Sequence, residues 1–277
     1  MTALSVMQQN MRCFYPYSMD RAAVYMNAFN LIRQILDNAG RPRPMMVGFT
    51  EVQSGGPYSQ NGLSQIAGRV MSGGYANNVL AIAIGQTALS NWPEYVGIAY
   101  DPASITVTGC GQVLRVGTAW QVFAYTQTTG NVGMPQAQNL NMDHRGLGLV
   151  SGTIGGKAYI FGFSHNVYAV NYPALLMQAL PQIAADARQA FGQDDAVIVF
   201  GGDFNCNPRN RNGAVNLEAY SPIDNGHYIP TTNAHAYDYW LVDDQLLVPE
   251  PLICPTTRNV TLGLSDHAAV ILQYATP

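Results

Sequence analysis

The chain has 277 residues, of which 48% are hydrophobic and only 11% are charged. This composition excludes a disordered or low-complexity chain and predicts one compact, loop-rich domain over residues 1–277. The net charge of −4 excludes a general attraction for polyanions, so a nucleic-acid substrate would need a local basic rim.

The first part of the chain predicts a strand, a helix and a second strand. Residues 4–9 read as the first strand. Asp20 would cap a helix with an apolar face, and Gly40 lies just beyond its end. The sequence Arg41-Pro-Arg-Pro44 breaks the chain before a second strand at residues 45–49, which is followed by Thr50, Glu51 and Val52.

Strands dominate the rest of the sequence. Further helices are predicted at residues 61–72 and 172–191, and residues 127–143 read as a long polar surface loop. The predicted strands are 79–85, 95–100, 105–107, 113–116, 121–125, 147–154, 157–163, 196–199, 239–242, 246–248 and 268–274. Gly155-Gly156 joins two of them as a hairpin. This pattern predicts an α/β fold, a four-layer sandwich in which two packed, mostly antiparallel β-sheets are flanked by helices.

The strand at 196–199 leads into the most informative stretch, Phe200-Gly-Gly-Asp-Phe-Asn-Cys-Asn-Pro208. Asp203 and Asn205 alternate with Phe204, so we expect them to point to one side while Phe204 points into the core. A carboxylate beside a carboxamide suits the binding of a phosphate and a hard metal ion. The alternative is an ordinary polar turn, because turns collect Asp and Asn.

Polar side chains also lie at the ends of other predicted strands. The whole set is Asn10, Glu51, Glu94, Arg145, His165, Asp203, Asn205, Asp238, Asp266 and His267. The carboxylate and amide oxygens of this set suit Mg²⁺ or Ca²⁺ and not zinc. Taken singly, each residue also has a structural explanation, as a solvated edge residue, a satisfied buried acid or a structural histidine.

The cysteines and the apolar runs indicate in which cellular compartment the protein could be found. Cys13, Cys110, Cys206 and Cys254 lack metal-site spacing, and they fit either free thiols or, in an exported protein, two disulfides. No run is long enough to span a bilayer, and we see no signal peptide. We therefore expect a soluble protein, either cytoplasmic or secreted or delivered.

The order and context of the polar set resemble the endonuclease/exonuclease/phosphatase superfamily, which includes pancreatic DNase I and the nuclease subunit of cytolethal distending toxin. The matching pieces are Gln9-Asn10-Met11-Arg12, Thr50-Glu51-Val52, Tyr95-Val-Gly-Ile-Ala-Tyr-Asp-Pro102, Arg145-Gly146, Ser164-His165-Asn166, Gly202-Asp203-Phe204-Asn205, Ala236-Tyr237-Asp238 and Ser265-Asp266-His267. They span almost the whole chain. The resemblance implies a monomer, with partner subunits if the chain is part of a toxin. Gly-Asp-Phe-Asn followed by Ser-Asp-His is the most specific combination.

The resemblance implies a metal centre. Glu51 with Asn10 would hold a divalent cation, which we expect to be Mg²⁺, with Ca²⁺ or Mn²⁺ as alternatives. Asp203, Asn205 and Asp266 would orient phosphate, water or a second metal ion.

The resemblance also implies the acid–base groups. His267, aligned by Asp238, would act as the general base that activates water. His165, with Glu94 as its carboxylate partner, would contact the phosphate and protonate the leaving oxygen. Arg145 would bind the phosphate.

Three features of the sequence bear on the substrate. Gln53 stands where DNase I-type nucleases often carry an Arg that enters the minor groove. Trp92 falls near the position of a Tyr that stacks on sugar in DNase I, which indicates an aromatic platform. Arg209 and Arg211 are either local phosphate contacts or part of a solvated loop.

These observations predict a divalent-metal-dependent phosphodiesterase, a DNase I-like endonuclease that hydrolyses DNA with little sequence preference. One alternative is a sphingomyelinase or phosphoinositide-type phosphoesterase on the same catalytic centre, which the polar 127–143 segment disfavours. The other alternative is an inactive binding module, which the intact polar set disfavours.

Overall fold

The structure is a computed structural model, and it confirms the predicted sandwich of two sheets flanked by helices. It describes residues 3–14, 19–73, 78–86, 92–168, 172–207, 217–220, 223–224, 227–228, 232, 235–243, 265 and 267–275. Within these ranges, no helix is long and apolar enough to cross a membrane.

The secondary structure of the described residues is as follows. The helices are α1 (Met19–Asn38), α2 (Pro57–Ala67) and α3 (Tyr172–Phe191). The strands are β1 (Ala3–Phe14), β2 (Met46–Val52), β3 (Asn78–Gln86), β4 (Pro93–Tyr100), β5 (Thr106–Val116), β6 (Ala119–Tyr125), β7 (Gly130–Val132), β8 (Leu147–Ile154), β9 (Lys157–His165), β10 (Val197–Asp203), β11 (Leu217–Tyr220), β12 (Ile223–Asp224), β13 (His227–Tyr228), β14 (Asp238–Asp243) and β15 (Val270–Ala275).

Most of these strands form two mixed sheets. Among the described residues, the first sheet has six strands in the order β15-β1-β2-β4-β3-β7, and the second has seven in the order β11-β14-β10-β9-β8-β5-β6. Strands β12 and β13 form a separate pair.

The alternation of side chains along β10 explains the layering. Val197 and Val199 belong to the apolar cluster shared with the first sheet and with helices α1 and α2. Ile198 and Phe200 point the other way, into the cluster formed with α3. The sequence of layers is therefore α1 and α2, first sheet, second sheet, α3, and both faces of β10 are buried.

A glycine allows the two sheets to approach closely. A Cβ atom on Gly48 of β2 would lie 1.9 Å from the ring of Phe163 on β9, so no larger residue fits without moving that ring. Phe163 also packs edge-on against Trp240 of β14, with ring centroids 5.8 Å apart. This contact fixes the relative position of the sheets near the site.

The sheet register brings several predicted site residues into one row. Asp203 on β10 is the register partner of His165 on parallel β9 and of Asp238 on antiparallel β14. In the first sheet, Asn10 on β1 is the partner of Thr50, the residue before Glu51 on β2. The site therefore forms where the two sheets face each other.

Two predicted boundaries were wrong because of local backbone chemistry. Helix α2 begins at Pro57, with Gly56 as its N-cap, and not at residue 61, since proline is favoured in the first turn. The predicted strands 105–107 and 113–116 are one strand, β5, in which Gly109 lies at a bulge opposite β8. A glycine at position 109 interrupts the apolar pattern from which the strands were predicted. Glycine is needed there because a Cβ atom would lie 2.6 Å from the carbonyl oxygen of Tyr125.

The 127–143 segment also differs from the predicted loop. It contains β7, which pairs in parallel with β3 at the edge of the first sheet, and Leu140 forms a bridge with Val116. The β8–β9 hairpin and the bounds of α3 are confirmed, and α1 begins one residue before the predicted cap. The predicted strand at 246–248 lies outside the described residues.

Candidate active site

Asp203 lies at the centre of the site and is buried. Its Oδ2 atom is 3.2 Å from Asn10 Nδ2, 3.6 Å from His267 Nε2 and 3.7 Å from His165 Nε2. Burial raises the pKa of Asp203, and the neighbouring Asp238 carboxylate adds to the rise, although the two imidazoles oppose it. One carboxylate thus faces two histidines that come from different parts of the chain.

His267 and Asp238 form a buried pair. The imidazole Nδ1 is 2.7 Å from Asp238 Oδ2, and Gln8 Nε2 donates to the other carboxylate oxygen, Oδ1, at 3.2 Å. Because a carboxylate only accepts hydrogen bonds, this contact places the proton of a neutral imidazole on Nδ1. Nε2 is then the accepting nitrogen, and it is the one that lies toward Asp203.

His165 forms a second pair with Glu94 of β4. His165 Nδ1 is 2.5 Å from Glu94 Oε1, and Arg145 Nη1 is 2.6 Å from Glu94 Oε2. Burial and the Arg145 charge lower the pKa of His165, but the carboxylates of Glu94 and Glu51 outweigh them, so the pKa is raised. The first sheet thus supplies the acid that orients a histidine of the second sheet.

Arg145 lies behind His165 and is only 6% exposed. Besides Glu94, its guanidinium contacts His165 Nδ1 at 2.7 Å and donates to the carbonyl of Asn166 at 3.3 Å. In this arrangement Arg145 stabilises the charge of Glu94, and the predicted contact with phosphate stays a prediction.

Asn10 and Glu51 meet where the regular pairing of β1 with β2 is interrupted, between Asn10 and Phe14. Asn10 Nδ2 donates to Glu51 Oε1 at 3.0 Å as well as to Asp203, while Asn10 Oδ1 accepts from the Arg12 backbone N–H at 2.9 Å. Glu51 Oε1 is also 3.2 Å from His165 Nε2. Two carboxylates therefore converge on one amide nitrogen and one imidazole nitrogen.

The donor set around Asn10 fits a hard divalent cation. Mg²⁺ needs only one or two protein carboxylates, because it keeps several waters and binds substrate phosphates. Glu51 and Asp203 meet that need, and Asn10 would offer its oxygen after its amide rotates by half a turn. Among the described residues no group of three or more His, Cys, Asp and Glu side chains is arranged as a metal site, and Asp266 lies outside them.

The backbone around this centre is bent away from regular strand geometry. Arg12, Glu51 and Asn205 have positive φ angles of 43°, 56° and 50°. The register of β2 against β4 shifts between Phe49 and Val52, which is the place of Glu51. Such conformations cost roughly 1–3 kcal/mol each and persist where the surrounding structure enforces them, often at functional sites.

Asn205 follows the end of β10. The alternation of side chains along a strand, from which we expected Asp203 and Asn205 to point to one side, therefore does not extend to Asn205. Its backbone N–H donates to Asp203 Oδ1 at 2.9 Å, and its Nδ2 donates to the Asn166 carbonyl at 2.6 Å. Phe204 is buried and packs on Tyr239 with ring centroids 4.8 Å apart, as its predicted core position requires. The turn places Asn205 beside the His165–Asn166 segment.

The structure brings most of the predicted set together. The grouped residues are Asn10, Glu51, Glu94, Arg145, His165, Asp203, Asn205, Asp238 and His267. Trp92 is two residues before Glu94 in the sequence and is 71% exposed. Arg209, Arg211 and Asp266 lie outside the described residues.

Three residues of the site received no role from the sequence. They are Gln8, Asn166 and Ser265. Ser265 Oγ donates to the carbonyl of Asn10 at 2.7 Å and accepts from the His267 N–H at 3.1 Å. Ser265 and Asn166 are part of the motifs that match the superfamily, so the sequence pointed to them. Gln8 is in no such motif, and only its polarity within a predicted strand could have indicated a role.

The fold is shared with several solved structures. The human Nocturnin catalytic domain, solved with a bound sulfate anion, is 15% identical with a TM-score of 0.61, over 99% of this chain and 94% of that one. TDP2 from D. rerio, complexed with single-strand DNA product, is 15% identical with a TM-score of 0.57, over 99% and 100%. An endonuclease/exonuclease/phosphatase from Bacteroides vulgatus is 14% identical with a TM-score of 0.57, over 100% of both chains. No family model and no curated protein matches the sequence. The similarity to solved structures is thus one of fold, and the fold is that of the endonuclease/exonuclease/phosphatase proteins.

Proposed function

We propose that this chain, with the fold of the endonuclease/exonuclease/phosphatase proteins, is a divalent-metal-dependent phosphodiesterase that acts as an endonuclease on DNA. One observation carries the proposal: two histidine–carboxylate pairs, His267–Asp238 and His165–Glu94, converge on the same oxygen of Asp203, at 3.6 and 3.7 Å. Phosphodiester hydrolysis needs one group that takes a proton from water and a second that assists the leaving oxygen.

The strand order suits these two roles. Asp238 is on β14 and His165 is on β9, on either side of β10. A phosphate bound next to Asp203 would therefore have His267 near one side and His165 near the other. Attack and departure in a phosphoryl displacement occur on opposite sides of phosphorus, so the arrangement supports an in-line reaction.

The proton transfers can be assigned to atoms. His267 Nε2 would accept a proton from water as the water oxygen bonds to phosphorus, and Asp238 would stabilise the resulting imidazolium. The bond from phosphorus to the leaving oxygen breaks, and His165 would donate the proton that this oxygen takes up. Glu94 keeps His165 oriented, and Arg145 balances the charge of Glu94.

The metal ion would be held by Glu51 and Asp203, with Asn10 and Asp266 as further oxygen donors. When bound, Mg²⁺ supplies fixed positive charge that stabilises the transition state of phosphoryl transfer. Without a cation, the two carboxylates would repel the phosphate. The protein residues alone therefore do not form a phosphate site, and we expect activity to depend on the metal.

DNA is the proposed substrate class. The structure of TDP2 with a single-strand DNA product shows that a protein of this fold binds nucleic acid. The net charge of −4 indicates few phosphate contacts, so we expect weak binding with little sequence preference. Arg209 and Arg211 would supply the phosphate contacts outside the catalytic centre.

The test is an activity panel on purified protein. Supercoiled plasmid, single-stranded DNA, RNA, sphingomyelin and inositol phosphates are each incubated with Mg²⁺, Mn²⁺, Ca²⁺ or EDTA. We expect metal-dependent cleavage of DNA that His267→Ala abolishes and Lys157→Ala preserves, since Lys157 is at the far end of β9 from His165. Hydrolysis of a lipid or inositol phosphate alone would replace the proposed substrate, and activity of His267→Ala equal to wild type would refute the proposed chemistry.

A further inference from the structure

Two adjacent glutamines of β1, Gln8 and Gln9, are fully buried. Successive side chains of a strand point to opposite faces, so these two leave β1 on opposite sides. Even so, both donate hydrogen bonds to groups that hold His267 in place, one to the carboxylate of Asp238 and the other to the main chain of His267 itself. The general base of the proposed reaction is therefore held by the first strand in two separate ways.

Gln8 connects the first sheet to the acid of the second. Its Nε2 atom donates to Asp238 Oδ1 at 3.2 Å, while His267 Nδ1 is 2.7 Å from Asp238 Oδ2. A donor on one oxygen stabilises the ionised form of a carboxylate and restricts the rotation of its plane. The orientation of the His267 ring, which Asp238 sets, thus depends on Gln8.

Gln9 holds the main chain of His267. Its Nε2 atom donates to the carbonyl of His267 at 3.2 Å and to the carbonyl of Asn10 at 2.7 Å. The register pairs of β1 with β15 end at Gln8 and Val270, so His267 lies beyond the residues that the sheet itself pairs. Gln9 replaces that pairing and ties the backbone of the base to Asn10, which the proposed function assigns to the metal site.

The partners of the two amides, and not their burial, indicate the role. Among the described residues, Gln8 Oε1 and Gln9 Oε1 are buried without a hydrogen-bond partner, which lowers the stability of the fold. Gln112 on β5 is also fully buried with an unpartnered Oε1, but its Nε2 donates to the Tyr125 hydroxyl and the Gly133 carbonyl. Strands β8 and β9 separate β5 from β10, so Gln112 offers the same chemistry away from the site.

We propose that Gln8 and Gln9 are positioning residues for the general base: Gln8 orients the His267 ring through Asp238, and Gln9 fixes the His267 main chain relative to Asn10. The inference rests on the proposed function and adds the groups that align its proton acceptor. A misplacement of about 1 Å can slow an enzymatic reaction roughly 100-fold, so the loss of one such hydrogen bond should lower kcat. Because neither amide is assigned a contact with the substrate, KM should stay the same.

The first experiment compares Gln8→Met, Gln9→Met and the matched control Gln112→Met in metal-dependent hydrolysis and in urea unfolding. Methionine keeps the length of the side chain and removes its amide. We expect kcat to fall roughly tenfold for Gln8→Met, which loses a bond to a charged group, and roughly 2- to 10-fold for Gln9→Met, at unchanged KM. Gln112→Met should leave kcat unchanged. An equal fall in kcat for Gln112→Met, or wild-type kcat for Gln8→Met and Gln9→Met, would overturn the proposal.

A double variant separates positioning from a structural role. If Gln8 acts through Asp238, adding Gln8→Met to Asp238→Asn should lower kcat by less than twofold, since residues that act as one unit lose most of their effect with the first substitution. A further tenfold fall would overturn the role of Gln8. Should Gln8→Met not fold, Gln8→Asn takes its place, because it keeps an amide that is one methylene too short to make the same bond.

The second experiment observes His267 without turnover. In EDTA and without substrate, the proton between His267 Nδ1 and Asp238 should give a downfield ¹H NMR resonance, identified by its absence in His267→Ala. We expect Gln8→Met to shift or broaden this resonance and Gln112→Met to leave it unchanged. An unchanged resonance in Gln8→Met would overturn its positioning role while leaving the proposed hydrolysis intact. A changed resonance in a protein that hydrolyses no substrate of the panel would support the positioning role and overturn the proposed function.

Discussion

The substitution Asp238→Asn removes the charge of the Asp238–His267 pair while keeping its shape. Asp238 is buried, with His267 Nδ1 at 2.7 Å from one oxygen and Gln8 Nε2 at 3.2 Å from the other. An asparagine that turns its oxygen to His267 would turn its NH₂ group toward the Gln8 amide nitrogen. Gln8 Oε1 is buried without a hydrogen-bond partner, so rotation of the Gln8 amide would restore a donor–acceptor pair.

The expected magnitudes follow from these contacts. A hydrogen bond to a charged group contributes about 1.5–3 kcal/mol, so the loss of the carboxylate should slow turnover by roughly 10- to 150-fold. The free energy of unfolding should change by less than about 1 kcal/mol, because the hydrogen bonds to Gln8 and to His267 can both be reformed. Asp238→Ala should lower the free energy of unfolding by roughly 1–3 kcal/mol more than Asp238→Asn does. The reason is that Gln8 and His267 would keep buried donors without acceptors.

The assay combines steady-state hydrolysis with urea unfolding. Turnover of Asp238→Asn within twofold of wild type would refute the role of the Asp238 charge in catalysis. In the double variant with His267→Ala, we expect the loss to be little larger than that of His267→Ala alone, because the pair acts as one unit. Fully additive losses would indicate two independent roles.

The other predictions concern the metal, the buried arginine and a buried thiol. Glu51→Gln should raise the Mg²⁺ concentration for half-maximal activity at least tenfold, and an unchanged titration would exclude Glu51 as the principal ligand. Arg145→Ala should lower the free energy of unfolding by about 3 kcal/mol in urea, because it removes the guanidinium beside the buried Glu94 carboxylate and leaves only His165 as a charged partner. The same change should lower turnover, and unchanged stability would argue against that ion pair. Burial raises the pKa of Cys110 to about 11 from 9.0, so its contribution to stability is present below pH 9 and is lost as the pH rises toward 11. Cys110→Ala should therefore show a smaller loss of stability between pH 9 and 11 than wild type, and native Cys110 should resist alkylation at pH 8 as read by mass spectrometry.

Features with a local cause could be predicted from the sequence. The Gly155-Gly156 turn fixes the β8–β9 hairpin, and the apolar stripe before Gly192 gives the bounds of α3. Strand β5 could not be predicted as one element, because its glycines are explained by contacts with Tyr125 and Phe123 on β6.

The candidate site also has features that could be predicted from the sequence and features that depend on contacts between distant residues. Glu94 and His165 are 71 residues apart, and only the order of the motifs suggested that they pair. Gln8 is 230 residues from Asp238, and nothing near it in the sequence indicates that contact. The burial of Arg145 depends on how the sheets meet, so the resemblance implied a phosphate ligand where the structure shows an internal ion pair.

The pairing of β1 with β15 has a consequence for how the chain acquires its site. Strand β1 lies between β2 and β15 in the first sheet, and Asn10 accepts a hydrogen bond from Ser265, 255 residues away. Contacts of such long sequence separation form late in folding, because their loop-closure entropy must be overcome first. A nascent chain that has not yet emerged as far as residue 267 has Asp203 and His165 but no His267. Premature termination of translation would therefore release fragments without the complete set of proposed proton-transfer groups, and we expect activity to appear only after β15 has docked.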